Sequence, residues 1–280
     1  MRHRVPAALA LGAAVVLPAA CGGADEGATS SASSSSASAS PSSTVPAAVQ
    51  SAGAQRAVEF EYEGELGPAN WASLSEDYAE CADATQQSPI DLAGASTVPL
   101  PDPRFDYVTG DVELKNTVHT VQGVEPSGST MTVDGETYAL TQFHLHEPAE
   151  HTVAGQTYAG ELHLVHTDES GAVAVVGVLL QEGAADSALA EYFEQLPADT
   201  SEQATLSGFD TAALLPQDRR TYRYTGSLTT PPCTEGVSWF VVQQPVEVSA
   251  EQLADFRSVI EENSRPVQPL GERELLLDAD

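Results

Sequence analysis

Basic residues are scarce in this 280-residue sequence: 11 Lys+Arg stand against 41 Asp+Glu, for a formal charge of −30, and Lys115 is the only lysine. A chain so poor in cations lacks the basic face that nucleic acid or an anionic membrane surface requires. Long hydrophobic runs are also missing. The longest near the N-terminus, Val5 to Ala20, has sixteen residues, fewer than the roughly twenty a membrane-spanning helix needs. No internal repeat and no interrupting linker are visible after residue 58, so one domain is the simplest count. Cysteine is limited to Cys21, Cys81 and Cys233. What remains is 41% apolar, enough to build a core.

The N-terminal run follows Arg2 and Arg4 and reads as a secretory signal over 1–20. Ala19 and Ala20 precede Cys21, and Gly22 and Gly23 follow it, which resembles a bacterial lipoprotein signal. That resemblance implies lipidation of Cys21 and anchoring to the outer face of the cell membrane. Pro18 stands where a Leu-like residue is usual, so plain secretion or a periplasmic location stays open. Residues 21–58 are rich in Ser, Ala and Pro, and from Gly22 onward they contain no Leu, Ile, Phe, Trp or Tyr. Nothing there offsets the entropy of ordering, and the segment is expected to be a disordered tether.

The expected folded part, 59–280, holds eight Lys+Arg and 39 Asp+Glu, so the acidity belongs to the domain itself. If Cys21 is lipidated, an even pair of cysteines remains for an oxidising compartment. The segments 111–115, 130–134, 137–146 and 158–166 alternate or are β-rich, with turn signals at Asp134-Gly135 and Ala154-Gly155. Val173 to Leu180 is continuously apolar, as in a strand buried on both faces. Helix signals are few: Asp186-Ser187 before a helix through Phe193, and Ser249 with Gln252 as a capping box for a helix to about Ile260. The expected fold is mainly β, with a few surface helices.

The histidines carry the chemistry. Apart from His3, all six lie between His119 and His166. His144 and His146 are two apart, so in a strand both rings point to one face. A turn near Ala154-Gly155 would bring His163 opposite them. Three converging imidazoles leave a fourth tetrahedral position open, the pattern of catalytic rather than structural zinc. Gln142 and Glu161 share that face and suit the role of fixing imidazole tautomers. His166 has the opposite parity.

Gln142-Phe-His-Leu-His146, Ala149-Glu-His151, Glu161-Leu-His-Leu-Val-His166 and Ser227-Leu-Thr-Thr-Pro-Pro-Cys233 together resemble the alpha-class carbonic anhydrases. Tyr62, Gly67-Pro68 and Trp71, then Gln87-Ser-Pro-Ile-Asp91, Glu235-Gly-Val-Ser-Trp239 and Asn263 to Leu270, extend the match over residues 60 to 273. The resemblance implies a single domain around a central ten-stranded, mostly antiparallel twisted sheet. It implies a zinc lyase that reversibly hydrates carbon dioxide to bicarbonate and a proton, by attack of zinc-bound hydroxide. Its ligands for Zn2+ would be His144, His146 and His163. Thr229, spending its proton on Glu150, would orient the nucleophile, and His119 would shuttle protons.

The same resemblance assigns Val165, Val175, Leu228, Thr229, Thr230, Val237 and Trp239 to the substrate pocket, and Tyr62 and Asn116 to a solvent network. It makes Cys81–Cys233 a disulfide and His151 a structural residue behind the site. The partners it implies are small molecules, with the protein a monomer or dimer. Two positions depart from the pattern: Val118 stands where Gly is usual before His119, and Leu145 replaces an aromatic. A non-catalytic zinc-binding cell-surface protein is the alternative reading.

Overall fold

Alternation of apolar and polar residues, with tight Gly-containing turns, dictates a β architecture, and a large twisted sheet is what the computed structural model contains. The structure describes residues 58–83 and 85–279. The expected signal, Cys21 and all of the expected tether except Val58 lie outside the described residues. Among the described residues, no helix is long and apolar enough to cross a membrane.

The strands in chain order are β1 (Ser96–Val98), β2 (Arg104–Asp106), β3 (Gly110–Asn116), β4 (Val121–Val124), β5 (Thr130–Val133), β6 (Glu136–His146) and β7 (Thr152–Val153). They continue with β8 (Gln156–Thr157), β9 (Gly160–Thr167), β10 (Val173–Glu182), β11 (Gln203–Phe209), β12 (Thr221–Ser227), β13 (Glu235–Val248) and β14 (Leu276–Asp278). Ten of them form one path, β1-β14-β12-β13-β10-β9-β6-β4-β3-β11, and β5 and β2 add to the free length of β6 to complete a twelve-stranded sheet. Only β1–β14 and β10–β13 on that path pair in parallel. The expected ten-stranded, mostly antiparallel sheet is thus present, with two further strands beside it.

Period-two alternation sorts the side chains onto two faces. Phe143, Leu145, Leu162, Leu164, Val176 and Phe240 build the larger core together with helix residues Tyr192 and Phe256. Leu145, in place of an aromatic, is buried there, away from the histidine face. Val165, Val175, Val237, Trp239 and Val241 build a second core on the opposite face. β10 is buried from Ala174 to Leu180, since β9 and β13 flank it and both faces are covered.

The turn at Asp134-Gly135 has φ of 53° and 87°, and that at Ala154-Gly155 has 51° and 77°, the left-handed pair that joins short hairpins. The helix Ala250–Arg257 carries the capping box of Ser249 and Gln252. Asp186 instead caps a turn through the Ala188 and Leu189 amides, and the helix itself starts at Ala190.

Candidate active site

Register decides how the histidines meet. In the β6–β9 ladder, His144 pairs directly with His163, and His146 with Glu161. An irregularity between Leu140 and Gln142 leaves Gln142 in phase with both histidines. On the other side of β9, His163 faces Gly177 of β10. A Cβ at Gly177 would stand 2.7 Å from the Glu161 carboxylate, so only glycine leaves room for that group.

Each ring has a partner that sets its proton. His144 Nδ1 donates to Gln142 Oε1 at 2.8 Å, and His146 Nδ1 donates to the Asn263 carbonyl at 2.7 Å. Their Nε2 atoms then carry lone pairs, yet stand only 3.1 Å apart. Two unprotonated nitrogens that close repel unless a proton or a cation lies against both. His163 Nε2 lies 3.1 Å from Glu161 Oε1, and its Nδ1 turns toward Glu150 Oε2, which His146 Nε2 approaches as well. Ligand atoms of His144, His146 and His163 all fall within 4.8 Å of one another. This donor set of neutral imidazoles, with an open position, fits zinc.

Burial keeps these rings neutral. It pushes His144 well below the usual histidine value, His146 down to about 4, and His163 down despite Glu161. Metal binding requires that unprotonated form. For Glu161, burial alone would raise the pKa. His151, which bonds it at 2.7 Å, and His163, whose Nε2 lies 3.1 Å away, outweigh burial and hold the carboxyl well below the usual range. The Glu150 and His151 amides also donate to Glu161 Oε2, at 3.1 and 2.8 Å. His151 lies behind the site, between Glu161 and the Tyr224 hydroxyl. His166 faces the other core and bonds Tyr107 at 2.7 Å.

Glu150 is fully buried, and burial pushes its carboxyl up to about 7 against the pull of His163, the Arg265 amide and the Thr229 hydroxyl. The Thr229 hydroxyl beside it favours the ionised form, and Oε2 of Glu150 is buried with no hydrogen-bond partner among the described residues. Val165, Val175, Val237 and Trp239 lie together in the second core, with Leu228 packed against it, and the Trp239 ring sits 4.9 Å from His163. Thr230 is half-buried, and its carbonyl accepts from the Cys233 amide. Cys81 and Cys233 form a disulfide.

A groove of about 520 Å³ is lined by Tyr62, Val118, His119, Ile260 and Asn263, with Glu61, Glu63, Glu261 and Glu262 around it. Burial lowers the His119 pKa, while Glu61 raises it in part. Burial, then Glu150, raises the Tyr62 pKa. Asn116 directs its side chain into the His119 loop, accepting from the Val118 amide at 2.8 Å and donating to the Pro197 carbonyl at 3.0 Å.

Three comparisons bear on this geometry. The family model described as "Eukaryotic-type carbonic anhydrase" matches residues 66–278. The chain belongs to that family. It is a carbonic anhydrase by its relatives as well. It is 39% identical over 229 residues to the carbonic anhydrase of Pectobacterium atrosepticum, covering 81% of this chain and 94% of the relative. It is 40% identical over 221 residues to that of Klebsiella pneumoniae, covering 78% and 90%. Among solved structures, the alpha-carbonic anhydrase of Thermovibrio ammonificans in complex with the inhibitor sulfanilamide matches with a TM-score of 0.76 and 40% identity, over 78% of this chain and 99% of that one.

Sequence reasoning missed several residues of this carbonic anhydrase site. Asn263 orients His146 through its carbonyl, while its side-chain amide donates to the carbonyls of His119 and Leu145 at 2.9 Å. A backbone carbonyl has no sequence signature. Gln87 and Arg265 were visible only as letters of matched motifs, although both sit beneath the Thr229 loop. Phe60, stacked on His119, carried no signal at all.

Proposed function

We propose that the protein holds a zinc ion through His144, His146 and His163 and hydrates carbon dioxide reversibly to bicarbonate and a proton. The observation that carries this reading is the pair of His144 and His146 lone-pair nitrogens facing each other at 3.1 Å, with His163 in register beside them. Zinc in such a site acts as a Lewis acid that makes water nucleophilic near neutral pH, a property for which carbonic anhydrase is itself the standard example.

The chain's own residues supply the rest. A carboxylate can only accept, so Thr229 spends its proton on Glu150 and keeps its lone pairs for the hydrogen of the attacking oxygen. That directs the oxygen's own lone pair at the substrate. Val165, Val175, Leu228, Val237 and Trp239 offer carbon dioxide an apolar wall, with Thr229 and Thr230 at its polar edge. Gln142 and Glu161 hold imidazole protons away from the metal position. His119 takes the released proton and returns it to solvent, an exchange for which an imidazole is suited because it can both accept and release a proton. Tyr62 and Asn116 border the water it exchanges with. We also propose that 1–20 is a signal and 21–58 a tether, and that Cys21 is lipidated outside the cell membrane.

Stopped-flow carbon dioxide hydration by the zinc-loaded protein tests the reading. Rapid hydration, lost in His163→Ala and blocked by an aromatic sulfonamide, supports it. Stoichiometric zinc without hydration would overturn it in favour of a zinc-binding surface protein.

A further inference from the structure

Arg265 is the most deeply buried basic residue among the described residues, at 2% exposed. Its guanidinium forms no ion pair among the described residues. It donates to Gln87 Oε1 and the Ser88 carbonyl at 2.8 Å and to the Cys81 carbonyl at 3.0 Å, over the ring of Trp71. Its Nε is buried without a partner. Neutral oxygens only partly offset the cost of taking a cation out of water, and an apolar residue of similar volume would avoid that cost. Stability alone is a weak account of this arginine.

Its connections give a better one. The Arg265 amide donates to Glu150 Oε1 at 2.8 Å. Gln87, which accepts from the Arg265 guanidinium, donates through Nε2 to the Cys233 carbonyl at 3.0 Å. The Cys233 amide closes the loop that carries Thr229 by donating to the Thr230 carbonyl at 2.8 Å. One residue therefore grips Glu150 with its backbone and the Thr229 loop with its side chain. It also touches both halves of the disulfide, the Cys81 carbonyl directly and the Cys233 carbonyl through Gln87.

We propose that Arg265, with Gln87 as its relay, is a positioning residue that sets the Thr229 hydroxyl against Glu150. The inference rests on the catalytic reading above. The alignment matters because the Arg265 amide takes Oε1 of Glu150 and leaves Oε2 buried without a partner, beside the Thr229 hydroxyl. A planar fork can bond Gln87, Ser88 and Cys81 at once in fixed directions, and a lysine ammonium cannot reproduce that.

The test compares wild type with Arg265→Lys and Gln87→Leu. A Thr229 hydroxyl engaged with Glu150 can only accept, so it favours a zinc ligand that carries hydrogen on its donor atom. An aromatic sulfonamide has such a hydrogen and thiocyanate has none. Both variants are expected to lower kcat/KM for carbon dioxide about 10- to 100-fold. Sulfonamide affinity should fall about tenfold, with thiocyanate changed less than about twofold. In the metal-free protein, exchange of the Arg265 and Cys233 amides should quicken together.

Equal weakening of both ligands, or a lower Tm with unchanged selectivity and exchange, would overturn the proposal. If Arg265→Lys does not fold, Gln87→Leu carries the test, because it leaves the cation bonded to Ser88 and Cys81. A wild type that binds zinc without hydrating carbon dioxide would sink the catalytic reading. The ligand ratio and the amide exchange would still decide the brace.

Discussion

The ring of Phe60 lies nearly flat on that of His119, with centroids 4.1 Å apart and planes inclined by 24°. This stack covers the residue proposed to move protons. Burial is the main cause of its lowered pKa, so removing the cover should reverse the shift. Phe60→Ala is expected to raise the His119 pKa toward the usual histidine value, read by NMR titration of the imidazole. An unchanged or lower value would show that the stack does not control it.

Val118 adopts φ of 79° immediately before His119. For a β-branched residue this left-handed conformation costs on the order of 1–2 kcal/mol, and the Val118 amide bond to Asn116 holds it in place. Val118→Gly removes that cost but increases the freedom of the unfolded chain, which takes back about 0.5–1 kcal/mol. The side chain is 60% exposed, so little packing is lost. A net gain of about 1 kcal/mol is expected, or 2–4 °C in Tm for a domain of this size. Without strain the same substitution would destabilise, so the sign of the Tm change is the check.

Metal and acid should act in opposition. Folding lowers the pKa of His144, His146, His163 and His166, the second and fourth to about 4. Groups depressed in this way stabilise the fold above pH 6.5, and that contribution is lost as the pH falls toward 4. Glu150, raised to about 7, slopes the other way between 4.5 and 7, and Glu125 and Glu147, also raised by burial, slope with it, but His119 joins the four histidines and these five outnumber the three carboxyls. Net stability of the metal-free protein should therefore fall on acidification across that window. Zinc should raise Tm at pH 7, and by less at pH 5, because protons compete for the same three nitrogens. Thermal unfolding with zinc and with a chelator at both pH values measures this.

Cys81 and Cys233 are 152 residues apart, and Cys233 closes the Thr229 loop. The bond stabilises the fold by roughly 5 kcal/mol in the chain-entropy model. Reduction should lower hydration activity before the domain unfolds, since the loop is its nearest dependant. Activity and near-UV circular dichroism followed together in rising dithiothreitol check the order. Coincident loss of both signals would contradict it.

Much of the site was legible because its signals are local. Spacing by two puts His144 and His146 on one face. A Gly turn sets the return of the chain, and the capping box of Ser249 marks a helix start in four letters. Strands β11 to β14 carry weaker alternation, and the place of β13 is set by its parallel pairing with β10 rather than by its own pattern. The rest is non-local. The Phe60 stack, the Asn263 carbonyl and the grip of Arg265 on Cys81 exist only after distant segments meet. Asn116 shows the same limit: its side chain braces the His119 loop, which the resemblance alone did not reveal.

The hydrogen bond from His146 to the Asn263 carbonyl spans 117 positions, and it has a bearing on the order of assembly. Strands β6 and β9 can form their hairpin early, since only the thirteen residues 147–159 separate them and closing so short a loop costs little. The ring of His146 then has no fixed tautomer until the segment around Asn263, near the C-terminal end of the sequence, has docked. A hairpin intermediate would hold metal loosely, through imidazoles free to turn. If zinc is held as proposed, its tight retention would come late and would report that the C-terminal segment has arrived.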